Sequence, residues 1–228
     1  MFFYDPTYFL VIIGFIFAAI ASSGVQSAFN KYSKVKSYRN YTGADAARKI
    51  LDDNGLYNVR IEHINGNLSD HYDPKANVIR LSDATYSDTS VAAIGVAAHE
   101  AGHAVQHAVG YAPIKLRNSL VPAVNLASTL SMPLFLIGLL FALPMLTNLG
   151  IILFSGALVF QVVTLPVEFN ASRRAITILN QSAMLEDDEL MGAKKVLRAA
   201  ALTYVAAVIS TALQLLRLVL LSNSRRRD

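Results

Sequence analysis

The segment His99-Glu100-Ala101-Gly102-His103 sets two imidazoles and a carboxylate within five residues. On a helix, spacing i and i+4 puts both rings on one face, one turn apart, where they can share one Zn2+. Glu100 lies beside them and can take a proton from water, whose pKa a bound zinc lowers towards about 7. With five His and five Glu in 228 positions, composition arithmetic gives a chance H-E-x-x-H roughly 0.2% of the time, so the pattern is read as chemistry. Small neighbours (Ala97, Ala98, Ala101, Gly102, Ala104) let other elements approach this helix closely. His107 continues the i+4 series, but two turns put it about 12 Å beyond His99. Gln106 and Val109 stand where a metzincin needs Gly and His, so that class is excluded.

A catalytic zinc takes three protein ligands and keeps a fourth position open. The chain has no Cys, so the third ligand is His, Asp or Glu. Glu168, in TLPVEFNASRRA, emerges from a long uncharged run, and such a carboxylate needs a partner or a metal. It either pairs with Arg173 or Arg174 or completes a His2Glu site, and the second reading is favoured. His63, His71 and the carboxylates of residues 31–117 are its competitors. His71 could instead donate to a tetrahedral oxyanion or be a turn residue, and His63 is read as structural. Glu186-Asp187-Asp188-Glu189 lacks EF-hand spacing and suits the dipole at the start of a helix that later carries Lys194 and Lys195.

The elements that must position these groups are unusually apolar. The chain is 54% hydrophobic and 16% charged, with mean hydropathy +0.40, against about 25% charged for a soluble domain. Pro6 to Asn30 and Asn118 to Val167 contain no charged residue and no His. A span needs roughly 20 apolar residues, so the second run holds two spans and a turn. A wholly soluble enzyme and a disordered chain are excluded. Without Cys, disulfides, thiolate metal sites and cysteine catalysis are excluded too. The net charge of +4 reads as membrane-surface chemistry, because no basic stripe with interleaved aromatics points to nucleic acid.

Five segments follow. Residues 1–30 form an N-terminal anchor, uncleaved because Lys31, Lys34, Lys36 and Arg39 follow the apolar stretch rather than precede it. Residues 31–117 form a polar insert with all five His. Within it Thr42 caps a helix over 44–54, strands are expected over 58–64 and 78–82, and a long helix runs from Ser90 to Gly110. The two strands are expected to pair as a small antiparallel sheet. Residues 118–167 are a helical hairpin with its turn near Thr147 to Gly150, 168–198 carry the distal Glu, and 199–228 are a last membrane helix with a basic tail. In that helix Arg217 is expected to snorkel. The fold class is α+β, mainly helical, with about four transmembrane helices and the sheet beside the HExxH helix.

The motifs LSDHYDP, VAAHEAGHAVQHAVGYAP, KLRNSLVPAVN, TLPVEFNASRRA and AALTYVAA cover almost the whole chain. In these it resembles the YugP-like neutral zinc metallopeptidases of bacterial membranes, and more distantly HtpX and the membrane CAAX proteases. The resemblance implies a gluzincin-like protease with His99, His103 and Glu168 as metal ligands and Glu100 as base. One position departs from the family pattern: Asn170 stands where Asp is usual. The expected function is zinc-dependent endopeptidase action on peptides or membrane proteins at the cytoplasmic face of the plasma membrane, with Zn2+ as cofactor. A zinc-binding membrane scaffold without hydrolysis is the alternative. The strand over 78–82 is expected to offer an edge for β-addition of substrate.

Overall fold

The computed structural model describes residues 6–224. Its elements are α1 (Tyr8–Tyr32), α2 (Gly43–Asp53), β1 (Arg60–Ile64), β2 (His71–Asp73), β3 (Val78–Ser82), α3 (Val91–Ala108), α4 (Ala112–Leu140), α5 (Pro144–Gln181) and α6 (Asp187–Ser224). They divide into two compact units. One comprises Leu116–Leu165 with the terminal stretches up to Ala21 and from Thr203; the other comprises Ser22–Lys115 with Pro166–Leu202. Among the described residues, α1, α4, α5 and α6 are long and apolar enough to cross a membrane. Arg225, Arg226 and Arg227, which carry much of the excess charge, lie outside the described residues.

In the first unit the α4–α5 turn is at Phe141–Leu143, not at Thr147–Gly150 as expected. The reason is Pro144. Its fixed φ suits the first position of a helix, and it disfavours helix in the residue before it. Ala142 completes the turn in the left-handed region, at φ 52°. Gly150 serves another purpose. A Cβ there would come within 2.6 Å of the Phe135 nitrogen and 2.7 Å of the Ser131 oxygen, so the missing side chain lets α4 and α5 pack backbone to backbone. Ser210 Oγ donates to the Gly14 carbonyl at 2.8 Å, tying α6 to α1. The Arg217 guanidinium lies 4.7 Å from the centre of the Tyr8 ring, which gives its charge an aromatic face.

The second unit carries the chemistry. Thr42 caps α2 reciprocally with Asp45, and Ser90 caps α3 through the Ala93 N–H. Ile50 and Leu51 of α2, Ile79 and Leu81 of β3, and Val91 and Ile94 of α3 are fully buried together. The sheet departs from expectation. Its order is β1-β3-β2, with β1 parallel to β3 and only β2 antiparallel to it. The Asp73 carboxylate accepts from the Lys75 and Ala76 N–H groups at 2.9 and 3.1 Å, closing a turn that folds β2, rather than β1, back onto β3. Three residues of mixed polarity, His71-Tyr72-Asp73, show no alternation from which a strand could be read. A second correction follows: β3 is bonded on both sides, so Val78–Ser82 offers no edge for a peptide.

Candidate metal centre

Helix α3 and helix α5 meet at glycine. A Cβ on Gly102 would lie 2.8 Å from the Ala171 carbonyl oxygen, so α3 approaches α5 as closely as backbones allow. That contact sets Glu168, one turn before Ser172 on α5, against the two imidazoles one turn apart on α3. Glu168 Oε2 lies 3.3 Å from His99 Nε2 and 3.5 Å from His103 Nε2. Among the described residues these three form the one group of His and acidic side chains placed to hold a metal, with ligand atoms within 4.8 Å of one another. Glu168 is 3% exposed and its Oε2 has no hydrogen-bond donor of acceptable geometry. A buried carboxylate oxygen without a donor is costly, and a cation at that point relieves it. The spacing suits zinc: ligand atoms about 2.0–2.1 Å from a tetrahedral ion lie about 3.3 Å apart.

The far side of each ring is held. Ser172 Oγ lies 3.1 Å from His99 Nδ1, and Gln106 Oε1 lies 3.0 Å from His103 Nδ1. The Gln106 amide nitrogen donates to the Val167 carbonyl at 2.8 Å and to Asn170 Oδ1 at 3.0 Å, which fixes which end of the amide faces the ring. His103 therefore donates through Nδ1 and turns the lone pair of Nε2 towards Glu168. Asn170 Oδ1 also accepts from Arg174 Nε at 2.8 Å. Arg174 is thus committed to Asn170 and does not pair with Glu168.

Glu100 is 8% exposed and accepts the Tyr72 backbone N–H on Oε2 at 3.0 Å. Burial pushes its carboxyl above the usual carboxylate range; His99 and His103 pull it down, while Glu168 and Asp70 push it further up. Burial alone would lower His103, but its contact with Glu168 and the charge of Glu100 outweigh this and raise it. A carboxyl pushed towards neutrality is suited to exchanging protons. Asp70 holds the sheet beside it, accepting from the Ser82 N–H at 2.8 Å and the Ser82 hydroxyl at 3.0 Å.

The remaining histidines lie apart from the cluster. His71 Nδ1 is 2.9 Å from the Ser69 carbonyl and its Nε2 is 3.4 Å from Arg80. His63 pairs with Asp83 at 2.7 Å, and His107 lies 3.3 Å from the Tyr72 hydroxyl. Glu189 accepts from the Tyr38 and Glu186 N–H groups at 2.7 and 2.8 Å, so the acidic cluster caps α6. Sequence reasoning missed Ser172, Gln106 and Tyr72 as supporting groups. Two carried a signal: Ser172 is four residues after Glu168 and Gln106 three after His103, so each shares a helical face with a ligand candidate. Tyr72 acts through its backbone and carried none.

A family model described as "putative neutral zinc metallopeptidase" matches residues 7–223. The chain belongs to this family. Zinc is accordingly its cofactor, and its four long apolar helices make the membrane its setting. It is 49% identical over 215 residues to the "putative membrane protease YugP" of Bacillus subtilis, covering 91% of this chain and 96% of that protein. No solved structure matches the chain.

Proposed function

We propose that this metallopeptidase is a membrane-embedded endopeptidase in which His99, His103 and Glu168 hold the zinc and Glu100 is the general base. The observation that carries the reading is the convergence of three ligand atoms from α3 and α5 beside a fourth buried group, Glu100, that is not among them. When bound, zinc polarises a substrate carbonyl and makes water at its open position easier to deprotonate. Glu100 accepts that proton and returns it to the leaving amine. The Tyr72 N–H holds one Glu100 oxygen in place, leaving the other for the proton. Ser172 and Gln106 keep the two rings from rotating. The sheet ends on β1 and β2, and the Tyr72 N–H of β2 is taken by Glu100, so an extended peptide that adds to the sheet has β1 as its edge.

The reading includes a topology. Helix α4 and the part of α5 that precedes Glu168 lie between His99 and Glu168 in the chain, so two crossings return Glu168 to the side of the HExxH helix. Residues 31–117 and 168–198 carry 16 of the 20 Lys and Arg, which puts the site in the cytoplasm by the positive-inside rule. The test is to map new peptide termini by mass spectrometry in membranes holding the parent protein or Glu100→Gln, with zinc content measured on the same preparations. The variant is expected to retain zinc and lose at least about 10²-fold in turnover, the scale for removing a general base. Equal cleavage by both proteins would exclude the mechanism. Absence of cleavage by either, with zinc bound, would leave a zinc-holding scaffold.

A further inference from the structure

A second site adjoins the first without belonging to it. Helices α5 and α6 line an open cavity of about 510 Å3 whose lining includes Arg173, Lys194 and Arg198 and no carboxylate. That volume falls in the range of about 300–1,000 Å3 usual for small-ligand sites. None of the three cations forms an ion pair among the described residues, although ten such pairs occur elsewhere. Arg173, Lys194 and Arg198 are solvent-exposed, and with no carboxylate in the lining their fields add to favour an anion there. The rest of the wall is two-natured: Phe169, Leu197 and Ala201 are apolar, and the Thr177 hydroxyl is polar.

The position of the cavity along its helices suggests what the anion is. On α5 the uncharged run ends at Val167, six residues before Arg173, or about 9 Å of helix. On α6 the uncharged stretch begins at Ala199, immediately after Arg198. The three cations therefore flank the points where two candidate spans end, which is headgroup depth. Ser172 also lines the cavity, and it meets His99 at Nδ1, the ring nitrogen turned away from Glu168. The cavity thus lies behind the imidazole rather than in front of the metal-facing atoms.

We propose that this cavity binds the phosphate of an anionic glycerophospholipid headgroup, with Arg173, Lys194 and Arg198 as its cationic wall and Phe169 and Leu197 against the first part of the acyl chain. Binding there is independent of whether the protein hydrolyses peptides. The test uses the full-length protein in a neutral detergent. Retained lipid is counted by native mass spectrometry during titration with phosphatidylglycerol or phosphatidylcholine, with and without millimolar inorganic phosphate. Phosphatidylglycerol is expected to be retained in preference to phosphatidylcholine. Its affinity should fall about five-fold for each of Arg173→Gln, Lys194→Gln and Arg198→Gln, and on the order of a hundred-fold for the three together. Arg173→Lys should restore most of the loss. Removing the tail charges (Arg225→Gln, Arg226→Gln, Arg227→Gln) should leave this bound lipid in place, and zinc content should be unchanged throughout. Equal retention of phosphatidylglycerol by the triple variant and the parent would overturn the proposal. So would complete displacement by inorganic phosphate, which would make the site one for the free anion. Selective loss of cleavage of acidic peptides by the triple variant, with lipid retention unaltered, would overturn it in favour of a substrate subsite.

Discussion

Glu168 brings a costly group, a buried carboxylate with an undonated oxygen, to within 3.5 Å of two imidazole nitrogens. Its removal should accordingly cost more metal affinity than removal of any other polar side chain nearby. Glu168→Gln is expected to weaken zinc by more than about 100-fold, beyond the 10–100-fold typical of an outer partner. Arg173→Gln and His71→Gln, whose side chains lie outside the cluster, should leave zinc affinity within about two-fold of the parent, as surface changes usually do. Competition with a chromophoric chelator, run side by side on the three proteins in detergent, decides it. Release of zinc by His71→Gln but not by Glu168→Gln would reassign the third ligand. Gln106 gives the intermediate case. Gln106→Leu keeps the volume but removes the acceptor at His103 Nδ1 and the donor to Val167 and Asn170. A loss of about 10–100-fold in zinc affinity is expected, with the HExxH residues intact.

At the scale of elements, the site exists because α3 and α5 can touch. Gly102→Ala puts a methyl group 2.8 Å from the Ala171 carbonyl, a backbone atom that cannot swing aside. Overpacking of this kind costs about 1–3 kcal/mol, and the strain falls on the contact that sets the His–Glu distances. The expected result is a lowered thermal midpoint together with weakened zinc; a stabilised protein with full zinc affinity would show that α3 and α5 have room to separate. The sequence made α3 legible because its cap, its small residues and its ligand spacing agree with one another. It singled out Glu168 through isolation after an uncharged run, and the structure places that carboxylate beside His99 and His103. It did not reveal the sheet order, because β2 is three residues long and is defined by a turn and by a backbone bond to Glu100 rather than by a side-chain pattern. Nor did it place the α4–α5 turn, where one proline outweighed a glycine that proved to be a packing residue. The β2–β3 turn also predicts an acid limit. The Ala76 N–H and then Arg80 hold the Asp73 carboxyl below its ordinary value. A depressed folded pKa means stability present above the unfolded value of about 3.9 and lost as pH falls through the folded one. Below about pH 4 the parent should lose thermal stability more steeply than Asp73→Asn, and parallel pH profiles would remove Asp73 from the account.

The whole molecule poses a different problem: how four apolar helices and a charged insert agree on one orientation. Charge argues for a cytoplasmic site, since the two segments that build it hold 16 of the 20 Lys and Arg. The hairpin of α4 and α5 is consistent with this because it contributes no charge between Asn118 and Val167. The conflict is at the C-terminal end. If α6 crosses, Arg225 to Arg227 emerge on the outer face, against the positive-inside rule. Three tail residues are outweighed by 16, and α6 is long and apolar enough to cross a membrane. Its uncharged stretch from Ala199 to Leu216 reaches about 27 Å as helix, nearly the hydrocarbon thickness of about 30 Å, and Arg217 can extend towards an interface. Four crossings with both ends of the chain outside are therefore expected. A protease-cleavable reporter fused after Asp228 should be cut by protease added to intact spheroplasts, while the same reporter inserted in the loop at Gly66 should be protected until the membrane is opened. If the C-terminal reporter is protected too, α6 lies on the cytoplasmic side and the molecule crosses three times. Exposure of the Gly66 reporter on intact spheroplasts would move the metal centre itself to the outer face and reverse the whole orientation.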